Sequence, residues 1–140
     1  MRDWLVVPLV LLGLLAAGCD AEPSFATVDE LFAAAGGEEW CDDELQVTLE
    51  PFVGSCGDPT TDARIVLGVG GGGQELRSSI DAARDGLVED GQLLLVPSNP
   101  DRESGWQLRS RDRSLLDEAQ AELGGVILDS EEAVDEWLGQ

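Results

Sequence analysis

The spacing of apolar residues alternates between a period near 3.6 and a period of 2, and the switches mark out the elements. Thr27, with Glu30 three positions on, has the form of a capping box ahead of Leu31-Phe32-Ala33-Ala34-Ala35, and Gly36-Gly37 ends that short helix. After an acidic turn over 38–44, Leu45, Val47 and Leu49 alternate with Gln46, Thr48 and Glu50, the period of a half-buried strand. Arg64-Ile-Val-Leu-Gly-Val69 is a continuous apolar run rich in branched residues. It predicts a central strand, paired with the first through a turn region over 54–62. From 75 to 87, Leu76, Ile80, Ala83 and Leu87 form one stripe opposed by Arg77, Asp81, Arg84 and Asp85, the pattern of an amphipathic helix. Gln92-Leu-Leu-Leu-Val96 predicts a buried strand stopped by Pro97, and 98–105 is turn chemistry. Trp106-Gln-Leu-Arg-Ser110 then alternates as an antiparallel return strand. Leu115, Leu116, Ala119 and Leu123 make a further helical stripe ended by Gly124-Gly125, and Val126-Ile127-Leu128 is a short last strand. Ser130 caps a terminal helix from Glu131 through Trp137 and Leu138.

This order predicts an α+β fold: a small antiparallel or mixed sheet of about four to five strands with helices packed on one face. The 140 residues, 43% of them hydrophobic, suit a single domain with its own core, here over 25–140.

The N-terminal pattern is different. Residues 4–17, Trp-Leu-Val-Val-Pro-Leu-Val-Leu-Leu-Gly-Leu-Leu-Ala-Ala, form an apolar run shorter than the roughly 20 residues that a membrane-spanning helix needs. It fits the core of a signal peptide. Leu15-Ala16-Ala17-Gly18-Cys19 resembles the lipobox of bacterial lipoproteins. The resemblance implies that residues 1–18 are removed and that Cys19 carries a diacylglyceryl group as the new N-terminus, with 19–24 as a short tether. An ordinary secretory signal with a coincidental cysteine, or an uncleaved anchor, is the alternative. Two acyl chains on one residue give stable anchoring, where one chain holds only marginally. The expected address is the cell membrane, on its extracytoplasmic face.

With Cys19 assigned to lipid, Cys41 and Cys56 are left as a pair, and in an oxidising compartment a disulfide is the natural reading. A metal pair or a reactive thiol is the alternative, but zinc asks for four ligands and the chain has no His.

Charge narrows the function. Lys plus Arg total 8 against 29 Asp plus Glu, a net charge of -21, and removal of 1–18 leaves it unchanged because Arg2 and Asp3 cancel. Nucleic acid is not a partner for such a surface. The same charge holds the domain off an anionic leaflet and disfavours a face that binds lipid headgroups. The sequence has no His, Lys or Tyr, so Ser-His and Ser-Lys catalysis is not available. Carboxylate pairs such as Asp42 with Asp43 or Asp58 with Asp62 are the acid-base option, and the same clusters are the option for calcium, although no D-x-D-x-D-G loop is present. Gly68-Val-Gly-Gly-Gly-Gly73 satisfies G-x-G-x-x-G formally, but no phosphate-loop Lys follows, and it reads better as a glycine loop leading into the next helix. No cofactor and no metal is expected. Trp106 is in phase with Leu108 and reads as core, whereas Trp40 and Trp137 lie beside acidic residues near helix ends and are candidate contacts for a partner.

Beyond the lipobox, Phe25-Ala-Thr-Val-Asp-Glu-Leu31, the cysteine pair, the 93–106 strand pair and Glu118-Ala-Gln-Ala-Glu-Leu-Gly-Gly-Val126 resemble the small exported lipoproteins common in actinobacteria. The resemblance implies no activity. The expected function is a membrane-anchored, non-enzymatic binding or interaction module whose partner is an envelope protein or a small ligand. A carboxylate-based hydrolase and a structural acidic envelope protein are the alternatives.

Overall fold

The computed structural model describes residues 23–41, 44–57 and 64–139. Helix α1 (Val28–Ala34) and a single turn α2 (Gly37–Trp40) lead into β1 (Gln46–Leu49), β2 (Val53–Cys56) and β3 (Ile65–Gly71). Helices α3 (Gln74–Ala82) and α4 (Arg84–Glu89) connect to β4 (Leu93–Val96) and β5 (Ser104–Ser110), followed by α5 (Arg113–Leu123), β6 (Val126–Leu128) and α6 (Glu131–Leu138). The strands form one six-stranded sheet in the order β1-β2-β3-β5-β4-β6, antiparallel at every junction.

The α+β class stands, and several finer expectations are corrected. The sheet has six strands rather than four to five. The additional strand is β2, which lies in the region read as a turn and separates β1 from β3. Gly54 and Ser55 have little strand propensity, yet Gly54, Ser55 and Cys56 are buried between two neighbours that supply the pairing. The stripe over 75–87 is continuous, but its helix is divided at Ala83, whose amide bonds to the carbonyls of both Ser79 and Ile80.

Helices cover both faces of the sheet rather than one. On the first face Ile65, Leu67, Leu95, Trp106 and Leu108 pack under Val28, Leu31 and Ala35 and under Leu116, Ala119 and Leu123 of α5. On the opposite face Leu94, Val96 and Leu128 pack under Leu76, Ile80, Ala83, Leu87, Val134 and Trp137. Neighbours in a strand point to opposite sides, so a strand such as Leu93-Leu-Leu-Val96 is apolar at every position because both sides are covered there.

Capping follows the sequence. Thr27 Oγ1 accepts the Glu30 amide at 3.2 Å, and the Glu30 carboxylate accepts the Ala26 amide at 3.0 Å. Ser130 Oγ accepts the Ala133 amide at 3.1 Å, and Asp112 accepts those of Ser114 and Leu115 at the start of α5. Pro23 and Ser24, expected in the tether, are held by the domain: Trp106 Nε1 donates to the Pro23 carbonyl at 3.1 Å, and Arg102 Nη2 to the same oxygen and to Ser24 Oγ.

Candidate functional site

Cover on the second face is incomplete. Helices α3, α4 and α6 shield β4 and β6, and α3 flanks the ends of β3 and β5 through Glu75 beside Gly71 and Ser79 beside Gln107, while among the described residues β2 and the rest of β3 carry no helix there. The result is an open groove of about 780 Å³. Alternation along the strands sets its floor. Ile65, Leu67 and Val69 face the first core, so Val66 and Gly68 face the groove; Trp106 and Leu108 do likewise, so Gln107 and Arg109 face it beside them. Val53 extends the floor on β2, paired with Gly68. One wall is α3, through Leu76 and Ser79. The other is the β1–β2 connection, where Leu49 and Phe52 are, among the described residues, the large apolar side chains most open to solvent, at 60% and 46% exposure.

The polar groups of the floor form a short relay. Arg109 Nε donates to Gln107 Oε1 at 2.9 Å, and Gln107 Nε2 donates to Ser79 Oγ at 2.7 Å. This orients the guanidinium and leaves its two Nη groups for another acceptor. Among the described residues no carboxylate lies within ion-pair distance of Arg109, although Arg77, Arg84 and Arg113 pair with Asp101, with Asp81 and Asp135, and with Asp117 and Asp129. Arg109 is half-buried, and that burial lowers its affinity for a proton from the ordinary value. Arginine nevertheless stays charged at neutral pH, so the site holds a partly desolvated cation. Glu75 is the one carboxylate in the described lining, exposed at the opposite end against Gly70 and Gly71. Val66 is paired with Arg109 and Gly70 with Gly105, so the groove runs about 13 Å between these ends at roughly 3.3 Å per residue.

Gly68 gives the middle of the floor its depth. A β-carbon there would meet Gln107 Cγ at 3.6 Å and the Phe52 carbonyl at 3.8 Å, which is ordinary contact, so a side chain fits but projects into the groove.

The residues singled out from sequence lie elsewhere. Cys41 and Cys56 form the disulfide, with Cα atoms 6.2 Å apart, and it ties the end of α2 to β2 rather than to a turn. Trp137, a candidate partner contact, is 2% exposed and donates to the Pro97 carbonyl at 2.8 Å, so its ring belongs to the second core. Trp40 is half-buried edge-on to Phe32 at 5.6 Å, with its Nε1 buried and unbonded among the described residues. Cys19 and the pairs Asp42 with Asp43 and Asp58 with Asp62 lie outside the described residues. Gly68 to Gly71 belong to β3, which is antiparallel to both neighbours, so this segment is not the parallel strand-loop-helix unit of a dinucleotide site. Among the described residues no three His, Cys, Asp or Glu side chains gather as a metal site, and no helix is long and apolar enough to cross a membrane.

Arg109, Gln107 and Ser79 were not foreseen as a site. The alternation in Trp106-Gln-Leu-Arg-Ser110 places Gln107 and Arg109 together on one face, but only the helix arrangement makes that face the floor of a groove.

Comparison with protein families, curated proteins and solved structures returns no match for the chain.

Proposed function

We propose that the protein is an extracytoplasmic lipoprotein, anchored through lipid on Cys19, that works as a non-enzymatic binding module with its ligand in the groove over β2, β3 and β5. The observation that carries this reading is the half-open sheet face, where Arg109 has no carboxylate partner among the described residues and lies in the same groove as the exposed Phe52 and Leu49. A deep apolar concavity with a few convergent polar groups is the usual form of a small-ligand site. The lipobox resemblance at 15–19 and the apolar run before it support the anchor. The arm 23–26 ends at the groove, since Phe25 and Ala26 line it, so from Cys19 to the groove is at most about 20 Å of extended chain. A hydrolase built on two carboxylates gains no support from a described lining with Glu75 as its one acid.

The test is a pair of mass measurements on protein purified from its own membranes. Under denaturing conditions the chain should begin at a lipidated Cys19 and gain two hydrogens on reduction; under native conditions it should release a small molecule on unfolding. An unprocessed or unlipidated chain refutes the anchor. Binding is refuted if neither native mass analysis nor a screen of small amphiphiles finds a ligand that Gly68→Val displaces.

A further inference from the structure

Resting on that reading of the groove, we infer that its ligand is a singly charged amphipathic carboxylate, with the head on Arg109 and the apolar chain running along Val66 and Gly68 against Phe52 and Leu49.

The head is set by charge complementarity. In a chain of net charge -21, Arg109 is half-buried without a carboxylate among the described residues. Its Nε is taken by Gln107, and the two Nη groups match the fork of one carboxylate. A single negative charge fits better than two. Glu75 opposes a second anionic group at the other end, and the surrounding surface charge opposes any anion beyond about 8 Å only weakly in physiological salt. A dianionic head, by contrast, would bring into the site a charge that one arginine does not neutralise.

The body is set by the walls. Between Arg109 and Glu75, the groove offers Val66, Val53, Phe52 and Leu49 along about 13 Å, and Gly68 keeps that run clear of side chains. An unbranched chain of medium length fills such a run; a polar or sugar-like body would leave its hydroxyls against apolar walls without partners.

The experiment is calorimetric titration of the purified protein with decanoate, decanol, decyl phosphate and decyltrimethylammonium. It is repeated on Arg109→Gln and Gly68→Val after circular dichroism shows each variant to be folded. Decanoate should bind tightest, and Arg109→Gln should weaken it roughly tenfold to a hundredfold, the range expected for losing a charged hydrogen-bonding partner, with little change in decanol binding. Gly68→Val, which the backbone accommodates, should abolish binding of both. Decanol, decyl phosphate or the ammonium compound binding as tightly as decanoate overturns the assignment of the head while leaving the groove as a site. Binding of decanoate untouched by Gly68→Val, or no binding by any of the probes, overturns the groove itself. If Arg109→Gln does not fold, Arg109→Lys serves instead: it keeps the charge but not the fork, and unweakened decanoate binding there overturns the proposed pairing.

Discussion

Replacing Trp137 by Phe should cost far more stability than replacing Trp40 by Phe, although both rings stand beside acidic residues near a helix end. Trp137 is buried in the second core, and its Nε1 meets the Pro97 carbonyl across 40 positions of sequence. Phenylalanine leaves that carbonyl buried without a donor, about 1–3 kcal/mol. It also leaves a void where the larger ring stood, about 1–2 kcal/mol, below the roughly 3–5 kcal/mol of truncation to alanine. The sum, about 2–5 kcal/mol, is a large part of the roughly 5–15 kcal/mol typical of a domain. At roughly 3–6 °C per kcal/mol for this size, Tm should fall by on the order of 10 °C. At Trp40 the account reverses. Its Nε1 is buried without a partner among the described residues, so Trp40→Phe removes a desolvation penalty and keeps an aromatic ring against Phe32; the change should lie within about 1 kcal/mol. Urea unfolding followed by far-ultraviolet circular dichroism, with the disulfide intact, measures both. Equal losses, or a larger loss at Trp40, would refute the assignment of Trp137 to the core and Trp40 to its margin.

Reduction of Cys41–Cys56, or Cys41→Ala with Cys56→Ala, should lower the stability by about 3 kcal/mol for a loop of this separation, read from urea midpoints with and without reductant. Gly72→Ala should cost about 1–3 kcal/mol, because its β-carbon would overlap the Arg102 carbonyl, whereas Gly68→Ala should be within about 1 kcal/mol of wild type by the same assay. The hydrogen bond and charge of Arg77 hold the Asp101 carboxyl below its ordinary value of 3.8. A depressed carboxyl stabilises the fold above that ordinary value and loses its contribution as pH falls through the folded one. Midpoints of wild type and Arg77→Gln should therefore differ slightly at neutral pH and converge in strong acid; a difference independent of pH would exclude the pair as its source.

Local chemistry was legible where it acts locally. Thr27 and Ser130 announce their helices, and the stripe from Leu76 to Leu87 names the residues that are buried, though not the break at Ala83. Strand β2 was illegible because Gly54 and Ser55 are turn formers, and only the neighbours on either side make them a strand. The second helical layer was half-written in Leu93-Leu-Leu-Val96, where every position is apolar. Trp137 was misjudged from its acidic neighbours, although the helical period puts it in line with Val134 on the buried side of α6. The groove is the least legible part. Gln107 and Arg109 read as an outward polar face, and it is where α3 ends its cover that separates a solvated face from a binding floor.

The sheet order also fixes how the chain comes apart. The second core draws every member from residues 76–137, whereas the first spans nearly the whole described chain, from Val28 to Leu123. The two parts of the sheet meet only where β3 pairs with β5, across the segment from Gly71 to Ser104. Closing a loop of that length costs about 3 kcal/mol of chain entropy, recovered only once both halves exist. The weak end is therefore the edge: among the described residues β1 is held in the sheet by β2 alone through a short, irregular ladder, whereas β3 pairs with β5 over seven residues, and native-state hydrogen exchange should proceed in tiers, with the amides of β1 released before those of β4.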